Sequence, residues 1–231
     1  MPTDDLPDWE RLLSSAARLQ SILPDAVLVG GTAASMHAKH RYSRDADHVL
    51  TDLRSRFDDV LAELESVAGW STARIQRPVL ILGNLDGIET GIRQLIREKP
   101  LETIRLKWAG HEVTVPTLAE ILRIKGLLIL KRNATRDYLD FVALADQIGD
   151  AAFITALVSF DELYPQPNSE SALQQLQIQL ASPMPYDLDE TGLVEYRNLD
   201  PKWHDWVHVR AICAQLAVRI FDSSRSDNVA P

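Results

Sequence analysis

Apolar and polar positions recur with two different periods along the chain, and the period changes near residue 117. Between residues 8 and 23 apolar side chains recur at helical spacing until Pro24 ends the run. Apolar runs then predict strands at 26–29, 45–50, 78–82 and 87–92, with an amphipathic helix over 53–68. Residues 104–108 and 111–115, joined at Ala109-Gly110, predict a hairpin. The first half is therefore expected to be a mixed sheet with helices.

From Thr117 onward, nearly every segment has helical periodicity. Thr117 and Glu120 have the spacing of a capping box, which marks a helix start. Helices are predicted over 118–131, 136–148, 151–163, 170–181 and 202–222, with a proline-containing break at 164–169 and an irregular connection over 182–201. We therefore predict an α+β chain with a sheet domain at 1–116 and a helical domain at 117–231.

Composition indicates an ordinary globular protein and predicts no membrane contact. Of 231 residues, 45% are hydrophobic and 25% charged, and no apolar run approaches the roughly 20 residues of a membrane helix. The N-terminus is acidic and lacks the apolar core of a signal peptide. The only cysteine, Cys213, cannot form an internal disulfide, which fits a reducing compartment. We expect a cytoplasmic location.

The net charge of −9 argues against a general nucleic-acid binder. The charges are, however, distributed unevenly along the chain. Residues 1–136 hold 19 Lys+Arg and 18 Asp+Glu, whereas residues 137–231 hold 5 and 15. A nearly neutral, arginine-rich first half permits a phosphate-bearing substrate there. The alternative is that the asymmetry reflects only a well-solvated acidic second half and has no relation to a substrate.

The strongest candidate chemistry lies between Gly30 and Asp47. Asp45 and Asp47 are two residues apart in a predicted strand, so their carboxylates should lie on one face and repel each other unless a cation lies between them. Oxygen ligands of this kind suit Mg²⁺. A Gly30-Gly31 turn that opens a helix would offer backbone N–H groups to a phosphate. The structural alternative for Asp45 and Asp47 is a solvated strand edge. For Gly30 and Gly31 it is a strand-to-helix turn that needs positive φ.

Three neighbouring side chains are predicted to assist nucleotide binding. Ser43 and Arg41 are expected on the same strand face as Asp45, where a hydroxyl and a guanidinium could hold triphosphate oxygens. Ser43 could equally be a turn residue that bonds to the backbone. Thr32 is expected to cap a helix over 33–39.

Two blocks of the sequence resemble a known family. Gly30-Gly31-Thr32, followed by Arg41-x-Ser43-x-Asp45-x-Asp47, looks like the N-terminal signature of the AbiEii/MenT-type nucleotidyltransferases, toxin-like members of the DNA polymerase β nucleotidyltransferase superfamily. A later block is similar to the family's lysine-bearing helix and its Arg-Asp-x-x-Asp helix: 116–125, Arg132 and 136–140. The resemblance covers about 26–148. It implies a nucleotidyltransferase fold followed by a helical domain that contributes to the site.

Lys125 is the most informative residue of the second block. It falls on an apolar stripe with Leu118, Leu122 and Ile129, where a charge is costly unless it meets an anion or reaches solvent. The resemblance implies that Lys125 contacts the nucleotide phosphates. We therefore expect its ammonium within about 6 Å of Asp45 and Asp47.

The same block contains two further acids. Asp137 matches the acid that the family contributes to its active site, and Asp140 is expected to hold Arg136 or Arg132. Acids in a first helical turn also stabilise the helix dipole without any catalytic role.

The third metal carboxylate of the superfamily has no clear match. Asp86 and Glu89 are the possible donors, and a site with two acids is the alternative. His204 and His208 have the spacing of a helical metal pair, but no third ligand accompanies them, so packing is favoured.

These features together predict a nucleotidyltransferase that moves a nucleoside monophosphate from Mg-NTP to an acceptor hydroxyl. The resemblance implies a tRNA 3′ end as acceptor in some relatives, and a cognate antitoxin as partner. Four arginines could form a basic rim for RNA: Arg41, Arg44, Arg132 and Arg136. One alternative is a nucleotidyltransferase that acts on a small molecule or a protein. The other is a catalytically degenerate domain kept for protein interaction.

Overall fold

The described parts of the chain fall into two units that follow the two halves of the hydrophobic pattern. The computed structural model describes residues 6–108, 110–189 and 192–226. The first unit comprises the described residues through Met36 together with Tyr42–Thr117. The second comprises His37–Arg41 and the described residues from Leu118 onward. A short segment of the first half thus belongs to the helical unit.

A five-stranded mixed sheet forms the first unit, in the order β1-β2-β5-β4-β3. Its strands are β1 (Val27–Leu28), β2 (Asp45–Leu50), β3 (Trp70–Gln76), β4 (Leu80–Leu85) and β5 (Ile88–Gln94). Strands β2 and β5 pair in parallel, and the other neighbours pair antiparallel. Helix α1 (Leu6–Ile22) precedes β1, whereas α2 (Gly30–Ala38, which runs into the second unit) and α3 (Phe57–Glu65) connect strands. A separate hairpin contains β6 (Thr103–Trp108) and β7 (His111–Pro116). The mixed sheet with helices is confirmed.

Apolar side chains from α1, α3 and the sheet form the core of the first unit. On β2, buried residues alternate with half-buried ones, so one face of the strand packs inward and the other remains accessible. Twelve buried residues form the cluster beneath the sheet: Leu19, Leu23, Ala26, Leu50, Leu53, Phe57, Val60, Leu61, Leu64, Ile81, Leu85 and Ile92. This core fixes the position of the accessible face of β2.

Strand β3 is absent from the sequence prediction. Six of its seven residues are exposed, so neither face carries a run of buried apolar side chains. It lies at the sheet edge and pairs only with β4, with a register shift between Thr72 and Arg74. An edge strand exposed on both faces has no hydrophobic alternation, which is the signal that the prediction used.

Helices form the second unit. They are α4 (Leu118–Arg132), α5 (Thr135–Ile148), α6 (Asp150–Leu157), α7 (Phe160–Leu163), α8 (Ala172–Ala181) and α9 (Trp206–Ser226). The single helix predicted over 151–163 is wrong, because the chain breaks at Val158 and Ser159. The helix predicted from 202 begins at Trp206, after a short 3₁₀ turn over Pro201–Trp203. Among the described residues, no helix is both long and apolar enough to span a membrane.

The buried histidine His48 should make the stability of the fold depend on pH. It is fully buried on the inward face of β2, its Nδ1 bonds to the Ala46 carbonyl oxygen at 3.0 Å, and burial lowers its pKa from 6.5 to about 4. The unfolded chain therefore takes up a proton between pH 6.5 and about 4 that the folded chain does not. Stability should fall as pH drops through this window, by about 3 kcal/mol for this residue.

Urea unfolding at a series of pH values measures the effect. His48→Gln should unfold with a shallower pH dependence than the wild-type protein over the same window. Equal slopes for the two proteins would contradict this account. His40, whose pKa is also lowered by burial, should leave part of the slope in the variant.

Candidate active site

The two carboxylates of β2 lie on its accessible face beside β5. Asp45 is aligned with Glu89 and Asp47 with Gly91 in the parallel register, and residues aligned in this way point to the same side of a sheet. Arg93 Nε lies 3.6 Å from Asp47 Oδ1, which places a cation on this face. The predicted strand and the shared face of Asp45 and Asp47 are confirmed.

Glycines bring backbone close to Asp47 on two sides. Gly30 opens α2 with φ +73°, and a Cβ on it would lie 3.5 Å from the Asp47 Cβ. On β5, a Cβ on Gly91 would overlap Asp47 Oδ1. Position 30 therefore requires glycine because of its positive φ. Position 91 requires glycine because a side chain there would overlap the Asp47 carboxylate. Gly31 does not have a positive φ, so the interpretation as a turn that needs positive φ applies to Gly30 alone.

Replacing Gly91 with alanine should displace the Asp47 carboxylate and lower nucleotide transfer. Misplacement of a catalytic group by about 1 Å can cost on the order of 100-fold in rate, so we expect a loss of about 10- to 100-fold. Gly192→Ala is the matched control, because a methyl group on it would meet Glu195 Oε1 at an ordinary 3.7 Å and its φ is −59°. Initial rates of labelled nucleotide transfer measure both variants. Wild-type rates in Gly91→Ala would show that the position of Asp47 is unimportant.

The turn into α2 is fixed to β2 by two hydrogen bonds. The Val29 N–H donates to the Asp47 carbonyl oxygen at 2.8 Å, and Thr32 Oγ1 donates to the Asp45 carbonyl oxygen at 2.6 Å. Thr32 is fully buried and lies inside the first turn, since α2 begins at Gly30. The prediction that Thr32 caps the helix is therefore wrong. Its hydroxyl instead holds the glycine turn beside the two carboxylates.

Ser43 contacts a carboxylate. Its Oγ donates to Asp45 Oδ1 at 2.6 Å, so the hydroxyl bonds to one of the two proposed metal ligands. This contact orients the Asp45 carboxylate. Whether Ser43 also contacts a nucleotide stays a prediction.

The two candidates for a third carboxylate have different surroundings. Asp86 forms an ion pair with Arg18, which occupies its carboxylate. Glu89 is exposed and aligned with Asp45 on the accessible face. Within the described ranges, no three His, Cys, Asp or Glu side chains form a group that could hold a metal. The parallel register aligns Glu89 with Asp45, and its role as a third metal ligand stays a prediction.

In the helical unit, Lys125 lies in a buried cluster of charges. Its ammonium is 2.6 Å from Asp140 Oδ2 and 3.4 Å from Asp137 Oδ1, and its side chain is 1% exposed. Arg132 donates to both Asp137 oxygens, at 2.5 and 2.8 Å. The Lys125 charge is thus offset by two aspartates of its own unit and does not reach solvent. Its predicted contacts with Asp45, Asp47 and nucleotide phosphates stay predictions.

Asp140 is the centre of this cluster, and its predicted partners were wrong. Arg41 donates to it from Nε at 2.7 Å and from Nη2 at 2.9 Å, and His40 Nε2 lies 2.7 Å away. Burial alone would raise the pKa of Asp140, but Arg41, Lys125 and His40 hold it well below its usual value. Asp140 therefore binds Arg41 and Lys125, whereas Arg132 binds Asp137.

Arg41 also departs from its predicted place. It precedes β2, groups with the helical unit, and is 6% exposed with its guanidinium 5.8 Å from the centre of the Tyr196 ring. The prediction that it shares the strand face of Asp45 is wrong, and its assignment as a phosphate contact stays a prediction. Of the four arginines of the predicted rim, only Arg44 and Arg136 are exposed without a carboxylate partner recorded in the described ranges.

Sequence reasoning missed three residues of these two sites. Gly91 had a usable signal, because a glycine inside a strand often marks a close approach. Arg93 lies two residues further along the same face. His40 had no usable sequence signal, because a histidine in a loop before a strand shows no pattern that predicts burial against Asp140.

Comparisons with known proteins identify the family and the fold. The family model described as nucleotidyl transferase AbiEii toxin, Type IV TA system, matches residues 11–210. A putative nucleotidyltransferase from H. pylori superposes with a TM-score of 0.60 at 14% identity, covering 97% of this chain and 98% of that one. The antibiotic-resistance factor ANT(2'')-Ia superposes with a TM-score of 0.51 at 12% identity, covering 68% of this chain and 94% of that one. At these identities the two structures show a shared fold.

A curated relative is similar along most of this chain but is a much longer protein. The heme uptake protein MmpL11 of Mycobacterium tuberculosis is 27% identical over 241 residues, which include 94% of this chain and 23% of the relative. The chain thus spans about a quarter of that protein's length. Since the family model covers most of the sequence, the chain belongs to the AbiEii nucleotidyltransferase toxin family and is a nucleotidyltransferase.

Proposed function

We propose that this protein transfers a nucleoside monophosphate from Mg-NTP to an acceptor hydroxyl. The observation that carries the proposal is the accessible face of β2, where Asp45 and Asp47 lie beside the Gly30 turn and the bare backbone of Gly91. Carboxylates next to a glycine-opened helix suit a metal-bound triphosphate. Gly31 and Ser43 are the neighbouring groups that we assign to the phosphates.

The donor set fits magnesium. Asp45 and Asp47 supply carboxylate oxygens only, and Mg²⁺ commonly binds one or two carboxylates together with water and substrate phosphates. When bound, the metal would offset negative charge at the phosphates. The protein's own contribution is positional: Ser43 orients the Asp45 carboxylate, Thr32 fixes the glycine turn, and Gly91 leaves room for Asp47.

A tRNA 3′ end is the acceptor that we favour. The first 136 residues carry most of the arginines, and exposed Arg44 and Arg136 remain available to phosphates. Burial of Arg41 and the ion pair of Arg132 reduce the predicted basic rim, so the salt dependence of RNA binding should be moderate. A small-molecule or protein acceptor is the competing assignment.

Incubation with total cell RNA identifies the acceptor. The purified protein is given each α-labelled NTP at two salt concentrations, and labelled products are separated into RNA, protein and small molecules. We expect label in the tRNA fraction for one or two of the NTPs, with less product at higher salt. Label confined to protein or small molecules would overturn the RNA acceptor and leave nucleotide transfer intact.

The family assignment also supports a biological role as the toxin of a toxin–antitoxin pair. We propose that a cognate antitoxin opposes this protein in the cell. Induced expression should slow growth, and Asp47→Asn should relieve the arrest because it removes a proposed metal ligand. Equal growth arrest by the wild type and the variant would disconnect toxicity from nucleotide transfer.

A further inference from the structure

Two arginines lie on the accessible face of the sheet, on the side of Asp47 that is away from β1. Asp47 of β2 is aligned with Gly91 of β5, and Gly91 in turn with Leu82 of β4. Leu82 is aligned with Arg74 of β3, so Arg74 shares the face of Asp47. Arg93 follows Gly91 by two residues and therefore lies on this face as well.

The Asp47 carboxylate separates the Gly30 turn from these arginines. A Cβ on Gly30 would lie 3.6 Å from Asp47 Oδ2, whereas a Cβ on Gly91 would overlap Oδ1. Arg93 Nε lies 3.6 Å from the same Oδ1. One carboxylate oxygen therefore faces the helix that Gly30 opens, and the other faces β5.

This arrangement indicates the side from which the acceptor approaches. In an in-line transfer, the acceptor oxygen bonds to the α-phosphorus while the bond to the departing pyrophosphate breaks on the opposite side, and the hydroxyl proton passes to water. With the triphosphate on the Gly30 turn, as proposed above, the pyrophosphate leaves on that side. The acceptor then enters from the side of β5, where Arg93 lies.

We propose that Arg93 and Arg74 bind phosphates of a polynucleotide acceptor next to its terminal hydroxyl, an inference that rests on the proposed nucleotide transfer. The Arg93 side chain is 48% exposed, and its ion pair with Asp47 uses Nε. Arg74 is exposed, and the described ranges record no acid that pairs with it. A guanidinium presents several N–H groups in a fixed fork that matches a phosphate.

The surface between the arginines suits a nucleotide. Strand β4 separates β5 from β3, and ideal sheet spacings place the two arginine Cα atoms about 12 Å apart. Leu82 lies between them, and its Cδ2 would be 3.1 Å from a Cβ on Gly91. A sugar or base can pack on this apolar side chain while the flanking phosphates meet the arginines. Glu89 is the exposed acid of β5 on this face, and it is aligned with Asp45 at the metal end. The two cations also disfavour a cationic small-molecule acceptor.

Binding of 5′-fluorescent total tRNA, followed by anisotropy without NTP, tests the site separately from the reaction. Arg93→Gln should weaken binding about 10-fold, because a contact between arginine and phosphate is a charge-assisted hydrogen bond. The salt dependence of log binding constant should fall by about 0.7–0.9 with the loss of one phosphate contact. Arg93→Lys keeps the charge and should restore most of the affinity. Arg74→Gln should weaken binding as well.

Arg105→Gln is the matched control for the loss of one positive charge. Arg105 is exposed on β6, outside the five-stranded sheet, and no acid partner is recorded for it among the described residues. This variant should bind tRNA nearly as tightly as the wild type. Equal losses in Arg105→Gln and Arg93→Gln would reduce the effect to general charge and overturn the site. Circular dichroism shows whether each variant stays folded.

Steady-state kinetics distinguish the acceptor from the nucleotide. Arg93→Gln should raise KM for tRNA and leave KM for NTP unchanged. A rise in KM for NTP alone would place Arg93 on the triphosphate and overturn the inference. A wild type that labels protein or small molecules and does not bind tRNA would also overturn it, with nucleotide transfer intact. Binding of tRNA that depends on Arg93, in a protein that transfers no nucleotide, would support the site and refute the proposed reaction.

Discussion

Replacing either Asp45 or Asp47 with asparagine should reduce nucleotide transfer by about 1000-fold or more and leave the protein folded. Each variant removes one of the two carboxylates proposed to hold the metal, and metal stabilisation of transition-state charge supplies several kcal/mol, with about 1.4 kcal/mol per tenfold in rate. Both side chains are only half-buried. Without metal, the loss of one of two neighbouring like charges should not destabilise the fold.

Initial rates and thermal unfolding together distinguish catalysis from folding. Asp59→Asn provides the matched control, because Asp59 is exposed in the first turn of α3, away from β2. We expect the control to transfer nucleotides at the wild-type rate and all three variants to unfold at similar temperatures. Appreciable transfer by Asp45→Asn or Asp47→Asn would remove that residue from the metal site.

Asp140→Asn should destabilise the protein by about 3–5 kcal/mol, which is a large share of the about 5–15 kcal/mol of a typical domain. The substitution preserves the size of the side chain but removes the negative charge between Arg41 and Lys125, which are 6% and 1% exposed. Two buried cations would then have Asp137 as the remaining acid of the cluster. Chemical denaturation measures the change in the free energy of unfolding.

Asp146→Asn is the control on the same helix. Asp146 pairs with Lys202 at 2.7 Å, but its side chain is 56% exposed, so the loss should be at most about 1 kcal/mol. Because the pKa of Asp140 lies well below its usual value, its stabilising contribution is present above the unfolded pKa and is lost as pH falls towards the folded pKa. A loss in Asp140→Asn no larger than in the control would contradict the central position of Asp140.

Local patterns in the sequence were sufficient to predict the half of the site on β2. The strand Asp45–Leu50 was predicted with its bounds, since apolar residues alternate with the acids and period-2 alternation is a local signal. The positive φ of Gly30 also follows from its own sequence context. Two carboxylates on one face of a strand need no knowledge of distant residues.

The partners of buried charges could not be predicted in the same way. Arg41 and Asp140 are ninety-nine residues apart, and nothing in either neighbourhood indicates that they meet. The stripe on α4 showed that Lys125 needs an anion, but spacing along a helix does not identify which acid supplies it. The nearest candidates in space, Asp137 and Asp140, come from the next helix. Tertiary packing decided each of these contacts.

The fate of the two ends of the triphosphate tests the central claim most directly. The wild-type protein is incubated with Mg²⁺, an acceptor preparation and an NTP that carries its phosphorus label at either the α or the γ position. Nucleoside monophosphate transfer predicts that α label enters the acceptor, that γ label leaves in pyrophosphate, and that chelation of the metal stops both. Entry of γ label into the acceptor, or release of label without any labelled acceptor, would contradict the account.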